Sequence, residues 1–291
     1  MKTLIFNHHP DHLWYSKNLF ENLGISVDIA SAKLAFELGA DYYSVSDDNK
    51  FRSGLKYFDP NELFPNENFN FSNSCEGYDY YLTLNPQIAN NLPFNRDKVI
   101  FATVFWGHLV SQNNFNKYKK FTSISQAPAF GAHRITYYVP QRGFIKEKKY
   151  VTQLMEGYKS IYFNDLIDLR NNGIPTIIAG HPDAPDKIVN DWEYLQQSTL
   201  AVHDKPMGSC CNAVMKALDC GVPVYISKNM KFMLGFEDVP DFCFIFSDDF
   251  SLKDAYILSK NIDNKNIQNT FRSIKNKDKA IIEFKNLLES P

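Results

Sequence analysis

The segment spanning residues 208–227, GSCCNAVMKALDCGVPVYIS, decides the fold class that we expect for this chain. Its small first residues, helix-forming middle and apolar end predict a loop, a helix and a buried strand in succession. Gly221 stands where this helix should stop, because glycine readily adopts the left-handed conformation that ends many helices. Helices of this kind between buried strands are typical of parallel α/β sheets.

The same alternation continues on both sides of the segment. Before residue 133 we predict a helix at 13–23 and strands at 3–6, 26–30, 80–84, 99–104 and 121–125. After it we predict strands at 135–139, 175–179, 199–202, 222–226 and 243–246. The helices predicted there are 152–170, 211–219, 252–259 (capped by Asp248 or Asp249) and about 266–288. Two such blocks predict two doubly wound domains, with ligands at the carboxyl ends of the strands and in the cleft between the domains.

Length and composition agree with a folded protein of two domains. The chain has 291 residues, of which 44% are hydrophobic and 22% are charged, and its net charge is −2. These values exclude a disordered chain and a globally basic protein that coats nucleic acid. The five cysteines show no CxxC spacing, so we expect reduced thiols and no zinc.

The sequence offers no apolar run that approaches the roughly 20 residues of a membrane span. The apolar run near the N-terminus is also too short for the core of a signal peptide. We therefore expect a cytoplasmic protein without stable membrane insertion, and we expect a monomer.

The beginning of the helix predicted at 211–219 suits a phosphate. Gly208 and Ser209 precede the helix and Asn212 lies in its first turn, where free N–H groups and the helix dipole favour an anion. From these residues alone, an ordinary crossover helix explains the segment equally well.

Residues 212–227, NAVMKALDCGVPVYIS, resemble the donor-site signature of GT-B glycosyltransferases. That signature commonly reads Asn-Ala-apolar-apolar-Glu-Ala-x-x-x-Gly-x-Pro-Val-apolar. The resemblance covers most of residues 134–291 and implies two Rossmann-like domains. These are an acceptor domain over 1–132 and a donor domain over 133–269, with a C-terminal helix at 270–291 that packs back on the first. It also implies a nucleotide-sugar co-substrate, such as a UDP-sugar, and no required cofactor or metal.

The chain departs from this signature at two positions. The family usually has Glu where this chain has Lys216, and a second Glu eight positions upstream is here Gly208. A lysine can donate to ribose oxygens or to a phosphate, but it cannot accept from hydroxyls. Alternatively, Lys216 is a solvated helix residue, or the protein binds a nucleotide sugar without catalysis.

The resemblance also implies further donor contacts. It places a basic loop after the first strand of the second domain, which makes Arg142, Lys146 and Lys148 the predicted ligands of the donor diphosphate. His181 would line the pocket of the donor base. A solvated turn and a proline-rich loop are the structural alternatives for these two segments.

Candidates for a catalytic base follow two predicted strands of the first domain. His9 and Asp11 follow the first strand and His108 follows the fourth. An inverting transferase needs such a base, whereas a retaining one mainly needs stabilisation of the leaving diphosphate. Asp11 would equally serve as a helix N-cap and His108 as a structural hydrogen-bonding residue, so the stereochemistry stays open.

The acceptor is predicted from charge and size. Residues 117–149 hold eight Lys and Arg and one Glu, which gives 8 − 1 = +7 and suits a polyanion. A compact chain of this kind resembles phage glycosyltransferases that modify hydroxymethylcytosine, so hydroxymethylated duplex DNA in a host cytoplasm is the first acceptor predicted. A lipopolysaccharide or capsule glycan is the alternative. A Rossmann oxidoreductase is disfavoured, because no GxGxxG follows the first strand.

Overall fold

The chain forms two compact units, each built on a parallel sheet. The computed structural model describes residues 2–7, 41–44, 76–83, 96–102, 120–123, 133–136, 141–154, 160–179, 183–187, 191–204 and 212–290. The first unit comprises Met1–Glu21, Ile25–Tyr137 and Lys277–Pro291, and the second comprises Asn22–Gly24 and Tyr138–Asn276. The domain boundary predicted between residues 132 and 133 lies close to the change of unit after Tyr137.

The sheet of the first unit has six strands in the order β2-β1-β3-β4-β5-β6. These strands are β1 (Thr3–Asn7), β2 (Asp41–Ser44), β3 (Tyr80–Thr83), β4 (Val99–Ala102), β5 (Lys120–Ser123) and β6 (His133–Arg134). Every neighbouring pair is parallel. Leu4, Leu82 and Ile100 are fully buried on three adjacent strands, which explains why these short apolar runs form the centre of the sheet.

The sheet of the second unit has five parallel strands in the order β11-β10-β9-β7-β8. These strands are β7 (Tyr150–Leu154), β8 (Thr176–Ala179), β9 (Ser198–Val202), β10 (Val224–Ile226) and β11 (Phe244–Phe246). The chain passes from β7 to β8 on one side and then returns to β9 on the other side. The strand order therefore reverses between β7 and β9, and such a point is where open α/β sheets bind ligands.

The described helices pack around these sheets or follow them. They are α1 (Phe163–Asn171), α2 (Asp191–Gln196), α3 (Asn212–Asp219), α4 (Lys228–Met233), α5 (Leu252–Ser259), α6 (Asn264–Ile274) and α7 (Lys277–Glu289). Short 3-10 turns lie at Arg96–Lys98 and Asp241–Cys243. Leu166 of α1 and Ala255 of α5 share one buried cluster with β-strand residues such as Val151 and Leu200. Among the described residues, no helix combines the length and apolar character needed to cross a membrane.

Helix α3 ends at a glycine, as the sequence predicts. Gly221 has φ +72°, and a Cβ built on it would lie 2.2 Å from the backbone oxygen of Asn264. The Asn264 side-chain amide in turn donates to the Gly221 carbonyl at 2.7 Å. Gly221 is therefore required both by its left-handed backbone and by the close approach of α6.

The C-terminal helix belongs to the first unit, as the fold class predicts. The helix predicted at about 266–288 is interrupted, because α6 ends before Lys275 and α7 begins at Lys277. α7 buries Ala280 and Phe284, and its Glu283 carboxylate accepts the N–H of Thr136 in the same unit.

Three predictions about local structure are wrong. No strand spans the described part of 135–139, since β6 ends at Arg134. The segment predicted as the helix 152–170 begins instead with β7, whose residues 151–153 are buried on both faces as in a central parallel strand. The cap of α5 is Ser251, whose hydroxyl accepts the N–H of Asp254, rather than Asp248 or Asp249. The strand predicted at 26–30 and the helix predicted at 13–23 lie outside the described residues.

Candidate functional site

The two edges of the second sheet differ in what they can bind. Because all its strands are parallel, their carboxyl ends share one edge. Helix α3 follows β9, so its first residue, Asn212, lies toward this carboxyl edge. Its last residue, Asp219, lies about 10 Å further along the helix axis, toward the amino edge where β10 begins. The N-terminus of α3 and the reversal of strand order between β7 and β9 therefore face the same edge.

A bracket of hydrogen bonds joins the described residues at this reversal. We call Gln153, Ser160, Ile161 and Asp204 the switch-point bracket. The backbone N–H of Ile161 donates to Asp204 Oδ2 at 2.6 Å. The Ser160 hydroxyl donates to Gln153 Oε1 at 2.6 Å, and Gln153 is fully buried. The bracket therefore ties together the end of β7, the end of β9 and the residues that precede α1.

Burial shapes the electrostatics of the bracket. It raises the pKa of the Asp204 carboxyl, while the Ile161 N–H and neighbouring His203 act in the opposite direction. His203 is buried beside Asp204, and its backbone N–H donates to Tyr225 O at 3.1 Å. Neither residue was predicted from the sequence. The available signal was a His-Asp pair directly after the buried strand 199–202.

Of the residues predicted at the beginning of α3 and in the base pocket, the structure describes only Asn212. Asn212 is the first residue of α3, as the sequence predicts. Gly208, Ser209 and the predicted base-pocket residue His181 lie outside the described residues, and their roles stay predictions.

Lys216 does not occupy the position that we expected. Its side chain is only 1% exposed, and its Nζ lies 5.2 Å from the centroid of the Trp192 ring. The solvated-residue alternative is therefore wrong. The predicted donor contact is corrected as well, because an ammonium buried between α2 and α3 stabilises the packing of these helices rather than facing a ligand.

The basic loop lies at the opposite edge from the α3 N-terminus. Residues 141–149 precede the first strand of the second unit instead of following it, since β7 begins at Tyr150. The Lys148 ammonium donates to the carbonyls of Gln196 at 2.8 Å and Cys220 at 3.1 Å. These carbonyls lie at the C-terminal ends of α2 and α3, where a cation is favourable. Burial lowers the pKa of Lys148 to about 8, with a smaller opposing influence of Cys220.

Arg142 is also held at the amino edge. Its guanidinium carbon lies 5.1 Å from the Trp192 ring centroid, and its backbone N–H donates to Asp219 Oδ2 at 3.2 Å. Lys146 is exposed in the same segment. The prediction that Arg142, Lys146 and Lys148 clamp a diphosphate at the α3 N-terminus is therefore corrected. Its error follows from the wrong strand at 135–139, which put the loop after a strand instead of before one.

The predicted catalytic bases lie outside the described residues. His9 and Asp11 follow β1 and His108 follows β4, and these are parallel strands of one sheet. Their roles stay predictions. In the described part of the chain, no group of three or more His, Cys, Asp or Glu side chains could hold a metal ion.

Comparisons with known proteins give matches at the level of structure. No protein-family model matches the chain, and no curated protein sequence matches it. TarM from S. aureus, in a complex with Fondaparinux, alpha-GlcNAc-glycerol and UDP, superposes with a TM-score of 0.54 at 10% identity. The match covers 72% of this chain and 55% of TarM, so the chain spans about half the length of that protein.

Two other structures match over nearly the whole of both chains. AviGT4, a glycosyltransferase involved in Avilamycin A biosynthesis, has a TM-score of 0.52 at 10% identity, with coverage of 99% of this chain and 98% of its own. Sucrose-phosphate synthase from Thermosynechococcus elongatus has a TM-score of 0.53 with the same identity and coverage. Likeness at this identity establishes architecture rather than activity. The fold class predicted from the sequence is confirmed: the chain has the GT-B fold, with two Rossmann-like α/β units and a C-terminal helix that returns to the first.

Proposed function

We propose that this protein is a glycosyltransferase that moves a sugar from a nucleotide-sugar donor, a UDP-sugar in the first instance, to a hydroxyl group. The observation that supports the proposal most strongly is the likeness over 99% of the chain to AviGT4, a glycosyltransferase. The UDP in the TarM complex supports the choice of nucleotide.

The donor belongs at the carboxyl edge of the second sheet in this proposal. The dipole of α3 would favour the diphosphate near Asn212, Ser209 and Gly208, and His181 would lie near the base. The switch-point bracket lies at the same edge. The leaving diphosphate gains negative charge during transfer, so the positive end of α3 would stabilise it.

The basic residues of the loop 141–149 have no direct part in this mechanism. Arg142 stacks on Trp192 and Lys148 donates to two carbonyls at the amino edge. For an inverting reaction, the proposed base that takes the proton of the acceptor hydroxyl remains His9, Asp11 or His108.

A glycan-type hydroxyl is the acceptor that we propose first. Part of the basic segment 117–149 is engaged within the protein, since Arg142 lies over Trp192 and Lys148 donates to two backbone carbonyls. Fewer of its cationic side chains are therefore available to a DNA backbone. The alpha-GlcNAc-glycerol in the TarM complex is a sugar bearing hydroxyl groups. Hydroxymethylated duplex DNA is the second candidate, supported by the charge of the segment alone.

The experiment is a turnover screen on the purified full-length protein. UDP release is measured with a panel of UDP-sugars, and the mass gain is measured on a glycosylated glycerol and on a duplex containing hydroxymethylcytosine. Sugar transfer to either acceptor supports the proposed activity and identifies the acceptor class. Binding of UDP, with no UDP released from the UDP-sugars and no sugar transferred to an acceptor, would contradict catalysis and favour a binding protein. The absence of any UDP or UDP-sugar binding would overturn the donor assignment.

A further inference from the structure

Asp204 connects two elements that flank the proposed donor site. It lies directly after β9, and the chain runs from it through residues 205–211 to Asn212 at the start of α3. Its Oδ2 accepts the N–H of Ile161 at 2.6 Å, two residues before α1. Asp204 therefore fixes the end of β9 against the start of α1.

Three backbone donors that lead into α1 are occupied by protein acceptors. Ile161 N–H donates to Asp204, Tyr162 N–H donates to Ser160 Oγ at 3.2 Å, and Phe163 N–H donates to Ser160 O at 3.1 Å. In many Rossmann folds an anion binds at this position, after the first strand. Here the Asp204 carboxylate accepts the N–H of Ile161 just before α1, and α3 is the neighbouring helix that begins at the same edge.

We propose that Asp204 is a positioning residue for the nucleotide, which holds the end of β9 so that the beginning of α3 can receive the diphosphate. This inference rests on the proposed function. A carboxylate adds nothing favourable to diphosphate binding by its charge, because like charges repel. Asp204 contributes instead through its hydrogen bond to Ile161. Mutation can remove the negative charge separately from this hydrogen bond.

Two substitutions of Asp204 separate these contributions. Asp204→Asn keeps a side-chain oxygen that can accept the Ile161 N–H but removes the negative charge. Asp204→Ala removes both. A role through charge alone would make the two variants equal, whereas a role through the hydrogen bond makes Asp204→Ala the weaker binder.

Asp248 provides the matched control. Its Oδ2 accepts the backbone N–H of Lys228 at 2.7 Å. Asp248 therefore makes the same type of hydrogen bond after another strand, at the same edge of the sheet. It follows β11, which is separated from β7 by β10 and β9. Asp248→Ala should leave nucleotide affinity unchanged.

The test measures UDP affinity of the full-length wild type and the three variants by calorimetry, with thermal unfolding as a check of folding. We expect Asp204→Ala to bind UDP about tenfold more weakly than Asp204→Asn, while Asp248→Ala matches the wild type. Hydrogen–deuterium exchange of the segment 160–163 should increase in Asp204→Ala and not in Asp204→Asn. Equal UDP affinity of the two Asp204 variants would overturn the positioning role. Failure of the wild type to bind UDP or any other nucleoside diphosphate, with the exchange difference intact, would instead overturn the proposed function.

Discussion

The carboxylate of Asp219 and the guanidinium of Arg272 form a bidentate ion pair, with Nε–Oδ1 at 2.6 Å and Nη2–Oδ2 at 2.9 Å. Arg272 also donates to the carbonyl of Arg142, whose N–H donates to Asp219. The pair therefore joins the end of α3 to the last turn of α6 and to the segment that leads into β7. It anchors α3 at the end opposite to the proposed phosphate site.

Replacement of Arg272 by Met should destabilise the protein strongly. The Asp219 side chain is 2% exposed, so the substitution leaves a buried carboxylate without its ion-pair partner. We expect a loss of about 3 kcal/mol in the free energy of unfolding at pH 7, measured by urea denaturation. The double variant Asp219→Asn/Arg272→Met should recover part of this loss, because it removes the buried charge.

The loss in the free energy of unfolding caused by Arg272→Met should be smaller at acidic pH. Burial raises the pKa of Asp219 and Arg272 opposes this shift, so removal of Arg272 should raise it further. A carboxyl whose folded pKa exceeds its unfolded pKa favours the folded state as the pH falls. The deficit relative to the wild type should therefore be smaller at pH 5 than at pH 7. An equal deficit at both values would contradict a buried charge as its cause.

Gly221→Ala should lower the free energy of unfolding more than Gly173→Ala, although both glycines have positive φ. Gly173 has φ +81° and no atom within 4 Å of a built Cβ, whereas the Cβ at Gly221 would meet the Asn264 backbone oxygen. Backbone strain alone should cost about 1 kcal/mol at Gly173. Strain and the clash together should cost about 3 kcal/mol at Gly221. Equal unfolding midpoints of the two variants would show that α6 does not approach α3 as described.

Lys148 should make the stability of the protein change with pH in the alkaline range. Its folded pKa is about 8, lowered from 10.5 by burial, so between these values the unfolded chain binds more protons than the folded one. The contribution of Lys148 to the free energy of unfolding therefore rises as the pH increases through this window. The difference in the free energy of unfolding between the wild type and Lys148→Met should shift in favour of the wild type by about 2 kcal/mol from pH 7.5 to 9.5. A constant difference would contradict the burial of this ammonium.

Lys216→Met should bind UDP with nearly the affinity of the wild type. The Lys216 ammonium lies over Trp192 and its side chain is buried, so it is not available to the ribose. Lys216→Glu, which restores the residue type usual in the resembled signature, should lose about 3 kcal/mol of stability because it buries a carboxylate. Calorimetric titration with UDP checks the first expectation and urea denaturation the second. Tighter UDP binding by Lys216→Glu would show that residue 216 does face the donor.

Much of the fold was predictable from residues with strong local signals. The helix predicted at 252–259 was found at Leu252–Ser259, and the helix predicted at 211–219 was found within one residue, at Asn212–Asp219. Both are bounded by residues with a clear physical role, namely the Ser251 cap and Gly221. Short buried strands such as Thr176–Ala179 were also recognisable, because both faces of a parallel strand are apolar.

The candidate site was less predictable, because its geometry depends on strand order. The polar Thr152 and Gln153 lie in β7 and are buried by tertiary contacts, so a local pattern did not identify this strand. Once β7 was missed, the basic loop before it was assigned to the wrong edge. Lys216 was misjudged for a similar reason, since only the packing of α2 against α3 places Trp192 over a lysine.

The proposed position of the donor is tested most directly by hydrogen–deuterium exchange of the full-length protein with and without saturating UDP. We expect UDP to protect segments at the carboxyl edge of the second sheet, namely 160–163, 203–204 and the beginning of α3. We expect no protection at the amino edge, in residues 141–149 and 219–221. Protection confined to the amino edge would contradict the placement of the donor and restore Arg142 and Lys148 as its ligands. No protection anywhere at saturating UDP would contradict the proposed use of a UDP-sugar.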